Sequence, residues 1–268
     1  MDRNSDKTAR IARRIFQANR ARERFRPLRG VDTPGSLEEA YLIQDEVHRL
    51  FETEAGMGPL GGHKIALTSR AVQELCGVDQ PAYGKVFAGT IRPSPARVQL
   101  SDYLRLGLEF EVAVEIGRDL PAAEAPWDRA RIADYAAAVL PAFELIEDRN
   151  ADYGDLDAAS ILADRCWCAG VVLGPRVEGW RQLDLAAAPV ELAWNGEVVE
   201  RAVTGDSLGH PFEGLAWVAN HLAGRGQALR RGEIVITGSA LKTRFPQAGD
   251  KVAYRIEGLG EVSLTVES

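Results

Sequence analysis

Residues 108–116, Leu-Glu-Phe-Glu-Val-Ala-Val-Glu-Ile, alternate in polarity without a break. On an extended chain Phe110, Val112, Val114 and Ile116 fall on one face, and Glu109, Glu111, Ala113 and Glu115 on the other. Period two sustained over this length specifies a strand with one apolar face to bury. The same pleat brings Glu109 and Glu111 to one side. A third acid, Glu144, stands in the apolar segment Leu140-Pro-Ala-Phe-Glu-Leu-Ile146. A carboxylate there is costly unless it is paired or binds a metal. Three convergent carboxylates make a hard, all-oxygen site of the kind Mg²⁺ or Mn²⁺ takes. The competing reading is a solvated acidic face, because Glu115 continues the phase.

The segments around this strand predict an α+β chain. Residues 6–25 contain neither Gly nor Pro and read as helix. Ser36 and Glu39 resemble a capping box that opens a helix over 37–54, with Ala40, Ile43, Val47 and Leu50 on one face. The glycine-rich stretch 56–62 ends it. A short strand is expected at 63–67, a short helix at 69–76, and a helix over 127–139 leading into a strand at 142–146. Further strands are expected at 166–173, 189–194, 234–237, 251–256 and 261–266, and a helix at 211–222. Asn195-Gly196 is the strongest hairpin signal. Helices come first and many strands follow, with no regular βαβ alternation. The expected division is a helical segment, 1–60, packed on a strand-rich body, 61–268.

Composition excludes several classes. A net charge of −7 argues against nucleic-acid binding. No apolar run reaches the roughly 18 residues of a membrane helix. The N-terminus lacks the apolar core of a secretory signal, and three cysteines fit a reducing cytoplasm. Residues 1–29 carry ten Arg or Lys against three acids. That excess suits a membrane-surface helix, a transit peptide, or a solvated helix that docks through Ile11, Ile15 and Phe25.

Several motifs point to no chemistry of their own. Gly56-x-Gly58-x-x-Gly61 follows a helix and precedes a strand, the reverse of the dinucleotide fingerprint. Cys166-Trp-Cys168 lacks the spacing of a zinc site and reads as packing on one strand face. The four histidines form no metal pattern, and no Gly-x-Ser-x-Gly elbow is present. Lys64, before the apolar Ile65-Ala66-Leu67, is either a buried lysine of depressed pKa or an edge-strand lysine reaching water. Thr237-Gly-Ser239 either offers hydroxyl and N–H donors to a carboxylate or simply ends a strand.

Six segments occur together in order: Gly62-His-Lys-Ile-Ala-Leu-Thr-Ser69, Gly77-Val-Asp-Gln-Pro-Ala-Tyr-Gly84, Leu108-Glu-Phe-Glu-Val-Ala113, Leu140-Pro-Ala-Phe-Glu-Leu-Ile146, Leu208-Gly-His-Pro211 and Gly249-Asp250. In these the chain resembles the 2-oxopent-4-enoate hydratase and 4-oxalocrotonate decarboxylase group of the fumarylacetoacetate hydrolase superfamily. The resemblance spans nearly the whole chain. It implies a mixed β-roll preceded by helices, assembly as a homo-oligomer, and Mg²⁺ or Mn²⁺ held by Glu109, Glu111 and Glu144. It implies a catalytic Lys64 in the pocket with Leu67 beside it, and Thr237 to Ser239 near the substrate carboxylate. The implied reaction is addition of water to a 2-hydroxy-2,4-dienoate. The alternatives are decarboxylation of a 2-oxo-3-enedioate, hydrolysis of an acylpyruvate with His63 as the nearest candidate base, and a non-catalytic partner subunit.

The chain departs from the group at three places. Ala82 stands where hydratases of the group often carry an acid. Asp164-Arg165 replaces the usual Asp-Asn, which makes Arg165 a candidate for a second substrate carboxylate. The loop Leu241-Lys-Thr-Arg-Phe245 is unusually basic, so Lys242 and Arg244 are candidates for the same role.

Overall fold

The computed structural model describes residues 3–268. Two helices, α1 (Arg3–Arg20) and α2 (Leu37–Ala55), pack on each other. Ile11 and Ile15 of α1 are buried, as is Phe25 in the chain beyond it. The basic face of α1 is largely neutralised. Arg13 forms a double hydrogen bond to Glu54 at 2.5 and 2.7 Å, Lys7 lies 2.7 Å from Glu39, and Arg10 and Arg14 share Asp32. The N-terminal charge is thus that of a docked helix. Ser36 caps α2 by accepting from the Glu39 N–H at 3.1 Å. The Glu39 carboxylate reaches back to the N–H of Gly35 rather than of Ser36, at 2.5 Å.

The body follows as β1 (Leu60–Ala66), α3 (Arg70–Cys76), β2 (Ala82–Phe87), β3 (Ile91–Pro93), β4 (Ala96–Gln99), β5 (Leu106–Ile116), α4 (Arg129–Ile132) and β6 (Ala136–Glu147). Then come α5 (Ala158–Ala163), β7 (Cys168–Leu173), β8 (Pro189–Trp194), β9 (Glu197–Val203), α6 (Pro211–Gly224), β10 (Ile234–Ser239), β11 (Lys251–Ile256) and β12 (Gly260–Glu267). Seven strands form one mixed sheet in the order β2-β1-β10-β5-β6-β7-β3, and five form a second, β4-β12-β11-β8-β9. This is the α+β architecture expected.

The alternation of β5 explains how the sheets stack. Phe110 lies opposite Phe143 of β6 in the register, and both rings meet Tyr254 of β11. These aromatics form the core between the sheets. The opposite face of β5 and β6 carries the glutamates. On that face the larger sheet curls, and β2 comes back against β7. The curl is tight enough that a Cβ on Gly84 would stand 2.4 Å from the carbonyl oxygen of Arg165, so only glycine fits there.

Two expectations change. The helix expected over 127–139 shrinks to α4 and one 3-10 turn, and Ala136–Leu140 instead begins β6. The alanines favour helix locally, but this stretch pairs along β5 and bridges Val177 through Val139, and the ladder overrides propensity. The strand expected from Cys166 begins at Cys168. Arg165, Cys166 and Trp167 take left-handed φ values of 55°, 50° and 61°. The two cysteines therefore do not share a strand face, although both are buried. The Asn195-Gly196 hairpin holds, with both residues at positive φ between β8 and β9.

Candidate active site

Glu109 lies directly opposite Glu144 in the β5–β6 register, and Glu111 is paired with Ala142, two positions on. The pleat aims all three carboxylates to the same side. One oxygen from each lies within 4.8 Å of the others. Glu115, in phase with them, instead reaches Arg176 at the sheet rim, at 2.5 Å. The solvated-face reading thus holds for Glu115 alone.

Glu111 and Glu144 are fully buried. Glu111 Oε2 accepts the Gly238 N–H at 2.7 Å, a bond made possible by the φ of +101° at that glycine. Glu111 Oε1 has no hydrogen-bond partner among the described residues, and Glu144 meets only the Lys64 ammonium, 3.0 Å from Oε1, and the Cys168 thiol. Glu109 is half-buried and accepts from the Thr243 hydroxyl at 2.6 Å. Orphaned anionic oxygens in the interior are costly, and a divalent cation is the group that would satisfy all three carboxylates together. The donor set therefore fits a hard cation.

Lys64 completes the cluster. In a flat sheet β1 would lie three strand spacings from β6, about 14 Å. The curl brings Lys64 Nζ to 3.0 Å from Glu144 Oε1, and Nζ also donates to the Cys166 carbonyl at 3.3 Å. Burial alone would depress the lysine. Glu144 and then Glu109 outweigh it and hold the ammonium above its usual range. This reverses the depressed value expected from sequence. Burial also drives Glu144 up to about 7 against the pull of Lys64. Glu111 is raised well above the usual carboxylate range by burial and by Glu144 and Glu109. These carboxylates crowd each other until something positive joins them.

The cluster meets an open cleft of about 490 Å³ through Lys64 and Glu109, with Glu111 and Glu144 buried behind them. Lys64, Leu67, Glu109, Ser239 and Lys242 line it, together with apolar residues such as Leu156 and Ile161. Leu67 sits just beyond β1 at a φ of 54°, which turns the chain along the cleft wall. Thr237 is not in the lining; it is buried, and its hydroxyl donates to the Val112 carbonyl at 2.9 Å. The Ser239 hydroxyl accepts the Phe110 N–H at 2.8 Å and faces the Leu241 carbonyl at 2.9 Å. Both hydroxyls therefore pin β10 to β5, and the free donor of this turn, the Gly238 N–H, serves Glu111.

The basic residues separate just as clearly. Arg165 lies behind the cleft with its guanidinium over Phe51 at 4.5 Å. It neither meets the cleft nor faces solvent. Arg244 pairs with Glu200 at 2.6 Å. Lys242 is exposed and lines the cleft. His63 is buried away from the cleft, 3.7 Å from Glu233, and burial lowers its pKa to about 3. Ala82 is buried opposite Ala66. His210 caps α6 by accepting the Phe212 N–H at 3.0 Å, so Leu208-Gly-His-Pro211 is a helix start. Tyr153, Trp167 and Thr243 also border the cleft and went unmarked in the sequence. They stand on irregular segments, where no period signals a shared face.

The fumarylacetoacetate (FAA) hydrolase C-terminal family matches residues 69–267. The 2-keto-4-pentenoate hydratase of Burkholderia vietnamiensis is 33% identical over 257 residues, 96% of each chain. The TodF product hydratase of Pseudomonas putida is 34% identical, over 93% of this chain and 91% of that one. The structure of 4-oxalocrotonate decarboxylase from Pseudomonas putida G7, complexed with magnesium and adipate, matches with a TM-score of 0.89. Its identity is 27%, over 99% of this chain and 98% of that one. A match across most of the body, with hydratases aligned along nearly the whole length, places this chain in the FAA hydrolase C-terminal family.

Proposed function

We propose that this chain is a divalent-metal-dependent hydro-lyase that adds water to a 2-hydroxy-2,4-dienoate, giving a 4-hydroxy-2-oxo acid of the kind formed in aromatic meta-cleavage catabolism. The observation that carries the reading is the buried, hydrogen-bond-poor pair Glu111 and Glu144 directly behind Lys64 and Glu109, which line an open cleft. The hydratases aligned above supply the reaction class. Glu109, Glu111 and Glu144 would hold Mg²⁺ or Mn²⁺. Bound there, the cation would supply Lewis acidity toward a 1-carboxylate and 2-oxygen, where negative charge develops.

The chain's own residues do the rest. Lys64 keeps a proton at Nζ beside Glu144 and moves it between the 2-hydroxydiene and 2-oxo forms. Thr243 fixes the Glu109 carboxylate, and the Gly238 N–H fixes Glu111. Leu67, Leu156 and Ile161 take the apolar substrate tail and exclude bulk water. Ser239 borders the carboxylate end, while Thr237 and Arg165 act through the backbone they brace. The reading includes a cytoplasmic, homo-oligomeric protein, which sedimentation would check.

Decarboxylation of a 2-oxo-3-enedioate is the second reading, favoured by the close likeness to the decarboxylase structure. Acylpyruvate hydrolysis draws no support from His63, which lies outside the cleft lining. A non-catalytic partner subunit has no use for a lysine in contact with the acidic cluster. A Mg²⁺-dependent ultraviolet assay on 2-hydroxypenta-2,4-dienoate and a dicarboxylic homologue separates these, with products identified by mass. Gain of one water supports the hydratase; loss of carbon dioxide supports the decarboxylase; no turnover with metal bound removes both.

A further inference from the structure

A second cavity, of about 250 Å³, lies behind the turn formed by Arg165, Cys166 and Trp167. Its walls carry Arg20, Arg22, Arg92, Arg149 and Arg165 against Asp102 and Glu147. Two of these charges are already committed. Glu147 accepts from the backbone N–H groups of Leu104, Arg105 and Arg149. Arg149 is held by Asp164 and by the Glu23 carbonyl. Among the described residues the other four arginines have no carboxylate partner. Arg22 donates to the Ser101 carbonyl at 2.6 Å, and Arg92 makes only a 3.5 Å contact with the Arg97 carbonyl. Exposed Asp102 offsets one of the four.

Arg165 is the decisive member. It is 6% exposed. Nη1 donates to the Cys168 carbonyl at 3.0 Å, Nη2 makes only a 3.5 Å contact with Asn19, and Nε has no partner. Its anionic neighbour, Asp164, is bonded to Arg149 and Asn19 instead, so burial of the cation is costly, and rings under the guanidinium replace only part of its hydration. The backbone that carries it is also unfavourable, with three consecutive non-glycine residues in the left-handed region. Such cost at a single turn, beside a cavity lined by free guanidinium groups, marks a place built for an anion. Guanidinium forks match carboxylate and phosphate oxygens.

We infer that this cavity binds a small carboxylate- or phosphate-bearing anion, with Arg165 as its buried donor and Arg92 and Arg22 as its more exposed ones. The site is separate from the cleft and does not rest on the hydratase reading. The two share a wall, because Trp167 lines both and the Cys166 carbonyl accepts from Lys64.

The test uses the full chain in chelator, so that no divalent ion draws anions into the cleft. Inorganic phosphate and succinate are titrated separately, by calorimetry and thermal shift. Saturable binding of at least one is expected, and the stronger of the two identifies the class of anion. Arg165→Met and Arg92→Gln should each weaken it about tenfold or more, while Lys242→Gln, at the cleft, leaves it unchanged. Arg92 is only half-buried, so its variant carries the test even if Arg165→Met fails to fold. No saturable binding through the millimolar range overturns the inference. So does binding that Lys242→Gln removes and Arg92→Gln spares, since the anion would then sit in the cleft.

Discussion

Asp164 and Glu144 are buried alike, 2% and 0% exposed, yet only one of them is satisfied. Asp164 accepts from Asn19 Nδ2 at 2.9 Å with one oxygen and from Arg149 with the other. Those bonds tie α1 to the loops flanking α5, and the pair has geometry enough to offset its desolvation. Glu144 has one ammonium and one thiol beside it, two like charges nearby and no backbone or guanidinium donor among the described residues. Both clusters look the same in a list of buried charges. The difference teaches that polarity already satisfied inside the protein is structural, whereas polarity left open is reserved for something that arrives.

The sharpest way to break this comparison is Glu111→Gln. The amide oxygen can still accept the Gly238 N–H, so the fold should survive. Metal-dependent activity should fall at least ~10²-fold, and the rise in melting temperature on adding Mg²⁺ should vanish. In chelator the variant should be more stable than the parent by about 1–2 kcal/mol, because one crowded buried charge is gone. A variant that keeps its Mg²⁺ response would remove Glu111 from the metal site.

Asp164→Ala should do the reverse. It leaves Arg149 buried without its carboxylate, which costs about 3–5 kcal/mol in urea unfolding. The Mg²⁺ response of the protein that remains folded should be unchanged. A loss near zero would mean that Asp164 is no more structural than Glu144.

The contrast also explains what was legible in the sequence. Glu109, Glu111 and Glu144 could be read because a strand's period fixes which side chains share a face, and Phe110 and Phe143 had to face the other way. Lys64 was legible as an anomaly among apolar neighbours. The direction of its pKa was not, because that depends on a sheet curled tightly enough to carry β1 to β6. Arg165 read as a pocket residue because nothing local signals three left-handed residues in a row. Thr237 and Ser239 read as free donors because a sequence does not show which hydroxyls a neighbouring strand has already taken.

A smaller effect follows from titration. His48 and His63 are each depressed to about 3, mainly by burial. A group depressed in the fold contributes stability that is present above its unfolded pKa of about 6.5 and is lost as pH falls toward 3, at about 1.4 kcal/mol per pH unit. Glu144, raised to about 7, acts with the opposite sign and stabilises the fold as pH drops from about 7 toward 4.5, and Glu111, also raised, acts in the same direction. In chelator these carboxylates oppose the histidines, so the fall in urea stability between pH 6.5 and 5 should be shallow. With Mg²⁺ bound these two carboxylates would stay ionised and cease to oppose the histidines, so stability should fall more steeply as pH drops. The same slope with and without metal would mean that the acidic cluster does not hold the ion.

The smallest expected effect concerns the three basic residues that the sequence left equivalent. Arg165 braces the back of the cleft, Arg244 is taken by Glu200, and Lys242 lines the rim with no carboxylate partner among the described residues. If the cleft is reserved for an arriving ligand, the distal end of that ligand should be read by Lys242. Lys242→Gln should then lower kcat/KM for a dicarboxylic dienoate about fivefold and leave the monocarboxylic one nearly unchanged, because an exposed ion pair contributes only about 1 kcal/mol. Equal losses on both substrates would assign Lys242 to the 1-carboxylate. No loss on either would leave a cleft whose distal half is read by apolar contact alone, and Leu156→Ala would then be the variant that changes the preferred chain length.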